Sequence, residues 1–148
     1  MDLKTQINES VKDAMRSGDE VRKRTLRMVL AAVKQAEVDR QTTLDDMAVI
    51  SILQKEIKNR REALEEAHKA NRSDLASENE AEIAVLEAYL PKAMPAGDLR
   101  ALVNAAIAET GASSMTDMGK VMKAVMPKVA GRAPNDVISA TVRELLQK

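Results

Sequence analysis

The sequence predicts an all-α protein, made of a helical N-terminal domain of about four helices and a small three-helix C-terminal domain. Three observations carry this expectation. Ala, Leu, Lys, Glu, Arg and Met, which lose little side-chain freedom in a helix, dominate the chain. Strand-favouring aromatics are nearly absent, with one Tyr and no Phe or Trp. Apolar residues recur three and four positions apart, in runs separated by Gly, Pro and polar clusters.

Taken in order, Asp2 is placed to cap a first helix along Leu3, Ile7, Val11, Ala14 and Met15, and Gly18 stands where a left-handed residue would stop it. A second helix carries Leu26, Val29, Leu30 and Val33 on one stripe. The polar stretch Asp39 to Thr43 reads as a turn, followed by a long helix with Met47, Ile50, Leu53, Ile57 and Leu64 on its apolar side, reaching about Ala70. Ser73 is expected to cap a fourth helix through Leu75, Ile83, Leu86 and Leu90, ended by Pro91, which has no N–H to continue the ladder. Helix breakers then concentrate in residues 91–97, which sets the expected domains at 1–94 and 95–148. Beyond them, Asp98 opens a helix with Leu99, Leu102, Val103, Ala106 and Ile107, closed by Gly111. Another helix runs from about Thr116 to Met126 and stops before Pro127. The last begins near Pro134 and buries Val137, Ile138, Thr141, Val142, Leu145 and Leu146.

Composition narrows the function classes. Zero cysteines exclude disulfides, thiolate metal sites and thiol nucleophiles. No apolar stretch approaches the roughly 20 residues of a bilayer span, and the chain opens on an amphipathic pattern without a basic leader, so no membrane is expected and a cytoplasmic location is. Net charge is zero, which argues against coating nucleic acid by bulk electrostatics alone. The charge is nevertheless uneven: residues 1–92 carry 16 basic and 18 acidic side chains, residues 93–148 carry 7 and 5.

The candidate chemistry is sparse. In Met118-Gly-Lys-Val-Met-Lys-Ala-Val-Met126, the residues Met118, Val121, Met122, Val125 and Met126 fall within an arc of about 140°, and Lys120 and Lys123 point away from it. Gly119 lies between the two faces. A helical glycine costs roughly 1 kcal/mol, so a close approach of backbone or ligand is its expected motive, with helix packing slightly favoured over ligand contact. Together with Lys128, Arg132 and Arg143, these lysines could present a basic face to phosphates or simply form a solvated surface. In the second helix, Lys23, Arg27 and Lys34 form a basic ridge, for which pairing with Glu56, Glu62, Glu65 and Glu66 of the third helix is favoured over phosphate contact. Arg22 lies near the apolar stripe and is expected to be partly buried with a carboxylate. Tyr89 is expected to pack across the domain boundary.

Catalytic patterns are incomplete. His68 is the sole histidine; Glu65-Glu-Ala-His68 is one Glu-x-x-His motif where a di-iron site needs two and further glutamates. No Gly-x-Ser-x-Gly turn and no phosphate-cradling glycine loop are present. No catalytic residue, metal or cofactor is expected.

Five strings together resemble one family: Thr25-Leu-Arg-Met-Val-Leu-Ala-Ala-Val-Lys34, Leu53-Gln-Lys-Glu-Ile-Lys-Asn-Arg-Arg61, Glu80-Ala-Glu-Ile-Ala-Val-Leu-Glu-Ala-Tyr-Leu-Pro91, Asp117-Met-Gly-Lys-Val-Met122 and Gly131-Arg132. They resemble the YqeY family across essentially the whole chain, Tyr89-Leu-Pro91 and Met118-Gly-Lys-Val-Met122 being the most specific pieces. That family is similar to the tail domain of the B subunit of the glutamine-dependent transfer-RNA amidotransferase, and a similar module is appended to some glutaminyl-tRNA synthetases. The resemblance implies a module that engages transfer RNA; with no catalytic residues in view it is expected to be non-catalytic, and the basic C-terminal face supplies Gly119, Lys120, Lys123, Lys128, Arg132 and Arg143 as the expected contacts. Alternatives are an adapter docking on a synthetase or another protein, and a carbon-nitrogen ligase with glutamine as amido donor, a label the family acquires through the amidotransferase. One departure is Ala70-Asn71-Arg72 where Ala-Gly-Arg is expected; Asn tolerates left-handed backbone, so the turn is expected to survive.

Overall fold

The computed structural model describes residues 1–147; Lys148, the last residue of the second expected domain, lies outside the described residues. Among those described, regular structure is entirely helical, with seven α-helices, one 3-10 turn and no strand. Contacts concentrate in two units, Met1–Leu90 and the chain from Pro91 onward.

The first unit holds α1 (Leu3–Ser17), α2 (Glu20–Arg40), α3 (Asp46–Lys69) and α4 (Ser73–Glu87). Its helix ends follow from short side chains that satisfy orphan backbone groups. The Asp2 carboxylate accepts the Thr5 N–H at 2.7 Å, and Gly18 ends α1 at φ 75°. Asp19 and Asp45 do the same for α2 and α3, accepting from Arg22 and Ala48. The α2–α3 turn is tied down by Glu37, which accepts the Leu44 N–H at 2.9 Å and the Lys4 ammonium at 2.8 Å, while Asp46 accepts the Leu3 N–H at 3.0 Å. Ile7, Leu26, Val29, Val33, Val49, Leu53 and Leu86 are fully buried between the helices. Tyr89 and Leu90 pack back against this same core.

Several expectations are corrected here. Ser73 is the first residue of α4, not its cap, and no side-chain cap bond is made. The cause is the preceding turn: Asn71 adopts φ 55°, the Asn71 N–H bonds the His68 carbonyl, and the Arg72 N–H bonds Ala67, a Schellman closure that consumes both linking residues. Asn71 therefore does take the left-handed geometry a glycine would. The α4 helix ends at Glu87, four residues before Pro91. Met15, Met47 and Leu75 lie exposed at the edges of their stripes.

The second unit holds α5 (Ala96–Thr110), a 3-10 turn (Met115–Asp117), α6 (Met118–Val129) and α7 (Asn135–Leu146). The α5 helix starts two residues before Asp98, directly after Pro95, and stops at left-handed Gly111. Its core is Leu99, Val103, Ala106, Val121, Val125, Val129, Ile138, Val142 and Leu146. Val137 is exposed, contrary to expectation. The α6 helix does not stop before Pro127 but runs through it. Proline there deletes one ladder bond, to a carbonyl on the solvent side, whereas continuing for a further turn buries Val129 in line with Val121 and Val125. Ala130 then ends the helix at φ 50°, its N–H on the Met126 carbonyl at 3.2 Å.

Candidate nucleic-acid interface

The α6 helix has two chemically distinct sides. Val121, Val125 and Val129 are buried at spacings of four, with Met118, Met122 and Met126 half-buried around them. Gly119, Lys120, Lys123, Pro127 and Lys128 are exposed. At about 100° per residue, Lys120, Lys123 and Pro127 lie opposite the valine stripe, and Gly119 lies beside them. A Cβ built on Gly119 would meet nothing within 4 Å. Packing inside the unit, the favoured sequence explanation of this glycine, is therefore not its reason. A helix pays for Gly119 in propensity and gains no internal contact, while its backbone stays open to approach from outside.

The remaining expected contacts are divided. Lys128 pairs with Glu109 on α5 at 3.1 Å, in a pair open to solvent. Arg132 donates its Nε–H to the Lys92 carbonyl at 3.0 Å, and its own carbonyl accepts the Met94 N–H at 2.9 Å, so this residue fastens the 92–94 stretch to the α6–α7 turn. Arg143 is exposed on α7, and no contact among the described residues joins it to Lys120 or Lys123. The structure thus brings Gly119, Lys120 and Lys123 to one helix face, leaves Arg143 on another helix and gives Arg132 a structural task.

Asp117 was missed by sequence reasoning. Its carboxylate accepts the Ser113 N–H at 3.0 Å, and this bond, with lesser help from the Ser114 N–H and the Lys120 charge, holds its pKa below the ordinary carboxylate value. It closes the turn that sets the entry of α6, and so the placement of Lys120. The signal was present as Ser114-Met-Thr-Asp117, a Ser-x-x-Asp capping pattern.

The basic ridge of α2 also pairs differently from expectation. Lys23 pairs with Glu20 of its own helix, Arg27 and Lys34 have no carboxylate partner among the described residues, and Arg24, beside the ridge, reaches Glu78 at 3.2 Å and Glu82 at 3.3 Å on α4. Three of the four α3 glutamates are engaged by their own helix, Glu56 with Arg60 and both Glu65 and Glu66 with Lys69, and Glu62 has no ion-pair partner among the described residues. Buried Arg60 joins Glu56 to Glu82 and so links α3 to α4. Arg22 is half-buried, with no carboxylate partner among the described residues. His68 is exposed near the end of α3. Among the described residues, no group of three or more His, Cys, Asp and Glu is arranged to hold a metal, and no helix is long and apolar enough to cross a membrane.

Comparison with known proteins places this geometry in context. The family model described as Yqey-like protein matches residues 4–146. A Pyrenophora tritici-repentis protein named altered inheritance of mitochondria protein 41, mitochondrial, is 30% identical over 143 residues, covering 95% of this chain and 78% of the relative. The protein of the same name from Lachancea thermotolerans is 36% identical over 91 residues, 61% of this chain and 49% of the relative. An uncharacterized Schizosaccharomyces pombe protein is 32% identical over 90 residues, 61% of this chain and 73% of the relative. Against the Lachancea protein and further fungal proteins of the same name the chain spans only about half of the relative's length. The cytoplasmic expectation is overturned by these comparisons, because the Pyrenophora and Lachancea relatives are named as mitochondrial proteins. It rested on the lack of an apolar span and on the amphipathic character of the first residues, neither of which excludes an organelle interior.

Proposed function

The chain belongs to the YqeY family, and on that premise we propose that it is a non-catalytic module that binds transfer RNA through the exposed face of α6. The observation that carries this reading is Gly119 beside Lys120 and Lys123: two lysines without ion-pair partners among the described residues, next to a helix backbone that no side chain covers. Lysines supply point charges for phosphates, and a bare helical turn lets a sugar-phosphate backbone come close. Lys128, near the end of the helix and about 110° round from that face, can exchange Glu109 for phosphate at little cost, because exposed pairs are weak. Arg143 contributes from α7 and Arg132 by holding the α6–α7 turn. The relatives' names support a mitochondrial compartment for this reading. We read the two units as separate domains, with the boundary within residues 91–95.

The test is binding of the full chain to bulk transfer RNA over a salt titration. Each phosphate contact contributes about 0.9 to the slope of log affinity against log salt, so Lys120→Ala with Lys123→Ala is expected to weaken binding and lower the slope by about 2. Lys12→Ala on α1 is the control, expected to change neither. Absence of binding at low salt, or a double variant indistinguishable from the parent, refutes the site and directs attention to a protein partner.

A further inference from the structure

Two exposed helix faces of the first unit match one another. On α2 an exposed strip runs through Arg24, Arg27, Met28, Ala31 and Lys34, and part of it forms a shallow groove of about 430 Å³. Met28 is 49% exposed, a large apolar side chain left in water. Arg27 and Lys34, seven residues and so about two turns apart, line one edge of the strip, and neither has a carboxylate partner among the described residues. Along α4 and its C-terminal cap, the small residues Ser77, Ala81, Ala84 and Ala88 are all exposed, at the four-three-four spacing of a helix-packing seam. Glu80 and Glu87, also seven apart, line one edge of that seam. Glu80 has no ion-pair partner among the described residues, and the partner of Glu87 is exposed Arg61.

The pairing within one copy sets the geometry. Arg24 meets Glu78 in a pair open to solvent, so both strips lie on the same side of the unit. Arg60 touches both Met28 and Glu82, which places residue 28 level with 82 as 24 is level with 78; α2 and α4 run in the same direction. The Arg27 edge faces away from α4, towards Met15 of α1, and the Glu87 edge faces away from α2, towards Arg61 of α3. A twofold axis running between and along these helices lays α2 of one copy on α4 of the other, twice. It brings the outer basic edge over the outer acidic edge, Arg27 level with about residue 81 and Lys34 with about residue 88, next to Glu80 and Glu87. The small side chains of the seam let the helices approach to about 8 Å.

We propose that two copies of this chain associate through α2 and α4 in this isologous arrangement. An RNA would meet Glu80 and Glu87 as like charges and would gain nothing from covering Met28. The inference does not rest on RNA binding.

Sedimentation of the full chain over a concentration series tests it, using Arg27→Glu with Lys34→Glu as one variant and Glu80→Lys with Glu87→Lys as the other. The unaltered chain is expected to dimerise. Each variant alone places like charges opposite one another twice, and its dissociation constant is expected to rise at least about tenfold. An equimolar mixture of the two variants restores both edges and is expected to recover the dimer. A parent that stays monomeric, a dimer that neither reversal loosens, or a mixture that remains monomeric while both variants keep their helical circular dichroism overturns the proposal.

Discussion

Replacing Glu82 tests the central polar feature of the fold. Arg60 is 6% exposed and Glu82 9%, joined at 2.9 Å, and Glu82 also accepts from Arg24. Removing one member of a buried pair leaves an uncompensated charge and ordinarily costs about 3–5 kcal/mol. Here Arg60 keeps Glu56, through its carboxylate at 2.6 Å and its carbonyl at 3.2 Å. The cost of Glu82→Leu is therefore expected at the lower end, about 3 kcal/mol. With a urea m-value near about 2 kcal/mol/M, the midpoint should fall by about 1.5 M. Replacing both members, Arg60→Met with Glu82→Leu, removes the desolvated charges together and is expected to return stability to within about 1 kcal/mol of the parent. Tyrosine fluorescence in urea is the assay, because Tyr89, the one tyrosine, packs against the first core and the chain has no tryptophan to mask it. A single variant within about 1 kcal/mol of the parent, or a double variant less stable than the single, would refute the reasoning.

The Thr25 hydroxyl is fully buried and unpartnered among the described residues, so Thr25→Val, nearly the same shape, is expected to stabilise the first unit by about 1 kcal/mol in the same assay. A loss of stability would show that the hydroxyl is satisfied. Gly119→Ala meets no steric obstacle and should stabilise α6 by up to about 1 kcal/mol while weakening transfer-RNA binding; a gain in stability with binding unchanged would remove Gly119 from the interface. Asp2, Glu37, Asp74 and Asp117 all have pKa values held below the ordinary carboxylate range, by hydrogen bonds from Thr5, the Lys4 ammonium, the Arg72 guanidinium and the Ser113 N–H respectively. A depressed folded-state pKa contributes stability that is present above the unfolded value and is lost as pH falls through the folded one. The melting temperature should thus be level near neutrality and fall below about pH 4, and Glu37→Gln should shallow that fall; a melting temperature that rises on acidification contradicts it.

The sequence by itself determined what depends on a few neighbouring residues. Asp2 caps α1 and Gly18 stops it because a carboxylate three residues before an amide and a residue free to take positive φ are local facts. Gly111 and Asn71 follow the same logic, and the apolar spacing identified Val121, Val125, Ile138 and Val142 as buried. The tertiary structure decided what depends on which helix lies alongside. It chose Glu78 and Glu82 on α4 as partners of Arg24, a choice that helix periodicity leaves open because it gives the angle of a side chain but not the identity of its neighbour. It carried α6 through Pro127, because burying Val129 outweighs one missing ladder bond, and local propensity cannot weigh that burial. It showed Gly119 to be uncovered, since the space above a helix face is set by residues distant in sequence. Capping and turn chemistry is written in short stretches of neighbouring residues, whereas ion pairing and exposure are properties of the packed unit.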